Sequence, residues 1–337
     1  LGGVNCPEKS SFFCPVGKPV VRVNTGGLPG ASAAQLARTL VASGQARTVV
    51  AIALERMGQA TTAQAVFNTI FDPIYEKDIV LTTVTMGALR ASMLMQRYGY
   101  TVDHWAGIAE RNYREAMRNP YAQIRKPITA QQVKDSKLLS WPLRLYEGCP
   151  MSEGACAAVV TSQPRTERPA WIRGLASLTD TYAMGDRMER PEGTLVDLVT
   201  LRLAAERAYA QAGVEDPSTR FDVLEVHAPF ASAEAMAYPA LGLCTPEGGP
   251  EFVDRELAGD LPLRINPSGG PQAANPVSAT GLVRIIECAE QVMGAAGERQ
   301  VEGARWALAT SQGGATQFSL AAVLSSERAQ DTSEERA

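Results

Sequence analysis

Two glycine-rich breaks and one histidine are the places where this chain could do chemistry. Residues 263–281 read LRINPSGGPQAANPVSATG. A short strand, LRIN, gives way to the adjacent pair Gly269 and Gly270. Pro276 then opens an apolar-periodic helix through Val277, Leu282, Ile285, Ile286 and Ala289. Paired glycines between a strand and a helix allow a positive φ or a close backbone approach. A helix start beside them offers N–H groups to an anion or to a polarised carbonyl. The second break is TGGLPG, which holds Gly26 and Gly27 just ahead of an Ala-rich helix. It is either a plain tight turn or the wall of a ligand pocket. His227 is one of two histidines and follows the apolar run FDVLEV at a strand-to-helix turn. There it is either a polar site group, since imidazole exchanges protons near neutrality, or a buried, hydrogen-bonded structural residue. The other, His104, lies beside Trp105 and reads as structural or exposed.

These positions need elements to hold them. Residues 20–24 are β-branched enough for a short strand. Residues 31–43 form a helix stopped by Gly44. Residues 49–54 are unbroken apolar, the pattern of a strand buried on both faces of a parallel sheet. Together they predict a βαβ unit whose helix start faces the strand ends, where open α/β sheets hold ligands. Residues 83–98 and 102–117 read as helices within a stretch rich in Met and aromatics. Such a stripe is core or ligand wall, more often core. The small-residue strand ACAAVV, at 155–160, closes a first half. WIRGLASL is strand-like, an amphipathic helix spans 196–212 before Gly213, and strands fall at 221–226, 263–266, 306–310 and 318–324. The fold class is α/β, in two similar strand–helix–strand halves.

The bulk numbers remove several classes of function. A formal net charge of −4 disfavours nucleic acid as a partner. No apolar run approaches the ~18 residues of a membrane span. Cys6, Cys14, Cys149, Cys156, Cys244 and Cys288 are few and irregularly spaced. They point to free thiols in a reducing, cytoplasmic setting, not to a disulfide framework. With two histidines and no C-x-x-C pair, no metal site is expected of this chain alone. Leu1 does not read as a natural start, so residues preceding it are expected, and the charged 326–337 reads as a disordered tail.

In their order, the residues of 263–281 resemble the thiolase superfamily segment N-x-x-G-G-x-x-x-x-G-H-P-x-G-A-T-G. Asn266, Gly269, Gly270, Pro276, Ala279, Thr280 and Gly281 match it. The family's catalytic His falls on Asn275. Upstream, Ala42, Ser43, Gly44, Glu55 and Met57 match the thiolase pattern A-S-G followed by G-x-E-x-M. Counting back from Ala42 puts the nucleophilic Cys on Gly27, which cannot carry an acyl group. Residues 147–162, EGCPMSEGACAAVVTS, resemble the family's C-P-x-S-D-G-A-A-A-V-V-L. His227 falls where typical thiolases have Asn-Glu-Ala-Phe and where the sterol-carrier-protein thiolases have His-Asp-Cys-Phe. The latter branch is the closer likeness. Ser311, followed by Gly313 and Gly314, is the counterpart of the second cysteine. Cys149 and Cys156 belong to the packing pattern and are not expected nucleophiles.

The resemblance implies a thiolase fold, two βαβαβ-type halves in a layered αβαβα sandwich. Residues 1–162 would be the first half, with 58–148 as an inserted loop domain, and 163–325 the second. It implies a coenzyme A thioester as substrate, with no permanently bound cofactor. His227, Asn275 and Ser311 would be the catalytic positions, and Gly26, Gly27, Gly269, Gly270, Gly313 and Gly314 the substrate-binding ones. The altered positions leave two readings. One is a C–C lyase of retro-aldol type on an acyl-CoA, with His227 as base or donor and Asn275 holding the thioester oxygen. The other is a catalytically silent subunit paired with a Cys-bearing thiolase. Expected partners are acyl-CoA and a thiolase-type dimer mate, homo or hetero, with an active thiolase or a small zinc-ribbon/OB-fold protein as candidates. Lyases of this type use tyrosines near the altered motifs. The nearest here is Tyr238, with none after it, which counts against a close match.

Overall fold

The computed structural model describes residues 17–59, 62–76 and 82–328. The stretches 1–16 and 329–337, on which the expected leading loop and most of the tail fall, lie outside the described residues. The labelled elements are α1 (Pro29–Ala42), β1 (Thr48–Arg56), α2 (Thr83–Tyr98), α3 (Val102–Ala116), β2 (Glu153–Thr161), β3 (Trp171–Thr179), α4 (Val199–Ala212), β4 (Val223–Glu225), α5 (Ala231–Ala240), β5 (Arg264–Ile265), α6 (Val277–Met293), β6 (Trp306–Gly313) and β7 (Phe318–Ser325).

The second half is a five-stranded sheet in the order β3-β7-β6-β4-β5. β4 runs parallel to both β5 and β6, and the β3·β7 and β6·β7 pairs are antiparallel. Every residue of β6 is buried, so WALATSQG reads as a continuous run because both its faces are covered. The ends of the parallel strands β4 and β5 open onto His227 and onto the Gly269–Gly270 loop.

β1 corrects the expectation of a parallel strand buried on both faces. It pairs antiparallel with β2, from Thr48 opposite Thr161 to Arg56 opposite Glu153. Its burial alternates. Ala51 and Ala53 face inward, whereas Val50, Ile52 and Leu54 are 53%, 49% and 50% exposed. Apolar composition alone had hidden this period of two. Residues 20–24 are also not a strand; Val20 and Val21 are exposed and the segment has no ladder. The βαβ unit expected there is therefore absent among the described residues.

Alanines set how closely the layers approach. Ala31, Ala34 and Ala37 of α1 meet Ala279, Leu282 and Ile285 of α6 and the inward face of β1 in one buried cluster. Small side chains let the two helix axes come close, so enlarging one would overpack the seam. A larger cluster joins α2 and α3 to α4 and α5, with Trp105 and Tyr113 fully enclosed. Within the expected insertion, Phe71, Tyr100, Trp105 and Tyr113 are thus core, whereas Tyr75, Tyr121 and Trp141 are exposed. His104 caps its own helix, with Nδ1 accepting the Thr101 N–H at 2.8 Å, and its Nε2 lies 3.4 Å from Asp254. No helix among the described residues is long and apolar enough to cross a membrane.

Candidate functional site

His227 stands two residues past the end of β4. Its backbone N–H donates to Thr310 Oγ1 at 3.0 Å, which ties the turn to β6. One residue earlier, the Val226 N–H donates to Asn266 Oδ1 at 2.8 Å. The ring is 5% exposed. The Gln312 backbone N–H points at Nδ1 at 3.3 Å, and Ser311 Oγ is 3.4 Å from the same nitrogen. An amide N–H can only donate, so Nδ1 is the acceptor and the neutral ring carries its proton on Nε2. Burial, helped by the positive charge of Arg284, pushes the imidazole pKa down to about 3. Near neutrality the His227 ring is therefore neutral, with its proton on Nε2, and only weakly basic.

Asn275 is held on every side. Its N–H donates to Ser152 Oγ at 2.8 Å, its Oδ1 accepts from Thr280 Oγ1 at 2.7 Å, and its Nδ2 donates to Cys149 Sγ at 3.1 Å. The Cys149 N–H in turn donates to the Pro229 carbonyl at 2.8 Å, and Gly148 bridges to Phe230. Cys149 thus lies beside the His227 turn, against the residue in the activating-histidine position. Sequence pattern assigns it only a packing role; its closeness to Asn275 rests on a pairing between residues far apart in the chain. Burial raises its thiol pKa to about 11, although the Asn275 hydrogen bond works the other way. It is a thiol, not a thiolate, at neutral pH.

The two outer glycine pairs meet back to back. Gly27 has φ +90°. A Cβ there would lie 2.9 Å from Gly313 Cα and 3.0 Å from Gly314 N. A Cβ on Gly313 would strike the Gly26 carbonyl oxygen, and one on Gly281 would strike Ser311 Oγ. The position expected for a nucleophile is therefore empty of a side chain and also closed to one in this backbone. Gly26, Gly27, Ser311, Gly313, Gly314 and His227 form one locality, and Asn275 joins it through Thr280 and Gly281. Gly269 and Gly270 are placed differently. Both are buried, with φ +87° and +59°. A Cβ at Gly269 would enter the backbone of α3 at Ala116, and one at Gly270 would meet the Asn266 side chain. They seat Asn266, which orients the backbone leading to His227.

Two buried polar networks lie beneath this surface. Glu234 of α5 pairs with Arg111 of α3 and accepts from Asn112 at 2.8 Å, from Asn266 at 2.8 Å and from Tyr238 at 2.5 Å. Glu225 of β4 pairs with Arg284 of α6 and accepts from Ser268 Oγ at 2.8 Å. No group of three or more His, Cys, Asp or Glu side chains suited to a metal occurs among the described residues. Two cavities, of about 270 and 300 Å³, are lined by other residues: one by Arg264, Arg299 and Glu302, the other by Tyr98, Tyr100 and Met236.

An α/β sheet whose strand ends carry a histidine turn and apposed glycine loops, with a helical insertion between β1 and β2, defines the thiolase class of fold. Residues 187–326 match the family described as thiolase C-terminal domain-like. Among relatives, the acetyl-CoA acetyltransferase of Methanothermobacter thermautotrophicus is 31% identical over 304 residues, 88% of this chain and 77% of that one. Sterol carrier protein 2 of Gallus gallus is 32% identical over 313 residues, 87% of this chain and 56% of that protein. The chain belongs to the thiolase superfamily, on the sterol-carrier-protein branch. It spans less than two thirds of the length of the sterol carrier proteins it matches. Two of the solved structures that share the fold illustrate it. One is described as an Ltp2-ChsH2(DUF35) aldolase, with a TM-score of 0.75, 23% identity, and coverage of 90% of this chain and 79% of that one. The other is a monomeric SCP2-thiolase like protein of Mycobacterium smegmatis, with a TM-score of 0.65, 15% identity, and coverage of 91% and 62%.

Proposed function

We propose that this chain binds a coenzyme A thioester and stabilises its enolate during non-covalent C–C cleavage of retro-aldol type, as one subunit of a complex. The observation that carries the reading is the tautomer of His227. A neutral ring with Nδ1 satisfied by the Gln312 N–H presents Nε2–H as a fixed donor. A fixed, uncharged donor in a buried site suits negative charge developing on a thioester oxygen. Gly27, packed against Gly313 and Gly314, is closed to an acyl-carrying side chain, so the chemistry on offer is polarisation without covalent capture. The thiolase-fold neighbour described as an aldolase with a second named component supports the same class. In that reaction the β-hydroxyl must lose a proton while the Cα–Cβ bond breaks, and the enolate must later gain one. His227 supplies the oxyanion contact. Asn275, held by Thr280 and Ser152, fixes Cys149 beside it.

A second reading is favoured by one specific observation. His227 is held at a pKa of about 3 and Cys149 at about 11, and Asn275 does not titrate, so none of these three is an effective base at neutral pH. A catalytically silent subunit paired with a Cys-bearing thiolase has no need of one. Steady-state kinetics of the chain in its native complex, with a β-hydroxyacyl-CoA, separates the two. For the lyase, His227→Ala lowers kcat by about 10²–10³-fold with KM little changed, the usual cost of losing an oxyanion donor. Full turnover in that variant sinks the lyase role. Thiolysis lost only on mutating a partner's cysteine assigns the silent role.

A further inference from the structure

The cavity of about 300 Å³ lies between the end of α2, the loop 191–197 that leads into α4, and α5. That is the small end of the range for ligand pockets. Its wall has two sides. Leu94, Met236 and Pro239 make an apolar one, and Tyr98, Tyr100 and Asp197 a polar one, with Glu192 at the exposed rim. His227, Asn275 and Ser311 do not line it.

Two groups of the polar side lack a fitting partner. Tyr100 is 2% exposed, and its hydroxyl is buried with no hydrogen bond. The ring is fixed by stacking on Trp105, with centroids 5.0 Å apart. The hydroxyl also abuts Gly249, where a Cβ would strike it, so it cannot swing out to water. A buried hydroxyl left unpaired is unfavourable. Asp197 spends its oxygens on neutral donors. Oδ1 accepts from the Tyr98 hydroxyl at 3.0 Å, and Oδ2 from the Thr194 N–H at 2.6 Å and Thr194 Oγ1 at 2.8 Å. It makes no ion pair among the described residues. Arg97 donates to Thr194 Oγ1 at 2.8 Å and reaches Asp197 only through that hydroxyl. Arg202, the cation in the wall, is paired with Glu206 at 3.2 Å, both partly in solvent. Near Glu192, Arg190 is held by both oxygens of Asp180. Burial, then Asp197 and more weakly Glu247, raise the Tyr98 pKa, with Arg97 opposing. The polar side thus favours positive charge and repels an anion. Aromatic rings in the wall add attraction for an organic cation. The apolar side suits carbon better than a hydrated metal ion, and no group of side chains suited to a metal occurs among the described residues.

We propose that this cavity binds a small organic cation, a primary ammonium on a short apolar body. Tyr100 Oη accepts one ammonium N–H, Asp197 faces the charge, and the body packs on Leu94, Met236 and Pro239. The site stands apart from the reading of His227 and does not depend on it.

The test is isothermal titration calorimetry of the full chain at pH 7 and constant ionic strength. The probes are 2-phenylethylammonium chloride and its neutral counterpart, 2-phenylethanol. The expected result is saturable binding of the ammonium, at least tenfold tighter than the alcohol. Binding of the ammonium weakens at least tenfold in Tyr100→Phe and in Asp197→Asn. Tyr100→Phe removes only an unpaired hydroxyl, so the thermal midpoint of the free chain should not fall, and its lost affinity reads the ligand contact. No saturable binding of the ammonium, equal affinity for the alcohol, or affinity unchanged in both variants overturns the site. Should Asp197→Asn fail to fold, Tyr100→Phe and the comparison of the two probes still decide.

Discussion

A single backbone N–H sets the character of His227. Because Gln312 donates to Nδ1, the neutral ring carries its proton on Nε2, and the donor role proposed for it follows from that tautomer. Burial acts on a second titratable group in the same neighbourhood. Glu147 is fully enclosed two residues before Cys149, with Oε1 unpartnered and Oε2 accepting only the Arg144 N–H at 2.9 Å. Burial lifts its pKa from 4.5 to about 7, against the smaller opposing effects of Arg144. A raised carboxyl pKa means the folded state holds a proton the unfolded chain has released. Its contribution is present below about 4.5 and is lost as pH rises through about 7. Glu147→Gln should therefore gain on wild type by roughly 2 kcal/mol between pH 5 and pH 8. Urea unfolding at both pH values measures this, and an offset independent of pH would refute the assignment.

At the scale of elements, the candidate site depends on how closely two turns approach. The turn before α1 and the end of β6 touch through glycines, and a methyl on Gly313 would meet the Gly26 carbonyl. Gly44, by contrast, has φ +74° and open space around its Cβ position. Gly44→Ala should cost only backbone strain, about 1 kcal/mol. Gly313→Ala should cost about 2 kcal/mol or more and push the two turns apart, weakening any ligand that spans them. Denaturant midpoints of the two variants compare strain with clash directly. Equal costs would show that the turns do not press together.

Across the whole molecule, buried ion pairs join elements far apart in the chain. Arg111 and Glu234 link α3 to α5, and Arg284 and Glu225 link α6 to β4, with all four side chains nearly inaccessible. Such pairs are costly to break, because the survivor is left charged and unpaired. Glu234→Ala should lose about 3–5 kcal/mol, and the double variant Arg111→Ala with Glu234→Ala should recover part of that. A double-mutant cycle by urea unfolding reads the coupling, and additive losses would mean the pair is not coupled. The β1·β2 pair adds a different feature. Val50 lies opposite Val159, and both are more than half exposed.

Local pattern was sufficient for much of this. The helix at 83–98 and the one that opens at Val277 follow from apolar spacing; the structure ends them at Gly99 and Gly294, both with positive φ. The motif around Asn266, Gly269 and Gly270 placed the chain in its family, because those residues meet backbone demands that few sequences satisfy. What pattern could not show is which side of a strand stays uncovered, or which distant groups share a proton. β1 reads as buried from composition, yet one of its faces is open, since burial depends on what packs against it. Cys149 and Asn275 are 3.1 Å apart across more than a hundred residues, and Arg90 meets Arg187 only because Ala315 lies between them. Residue identity sets the available donors, acceptors and charges. Tertiary packing decides which of them are desolvated together, and desolvation is what keeps the His227 ring neutral and Cys149 a thiol.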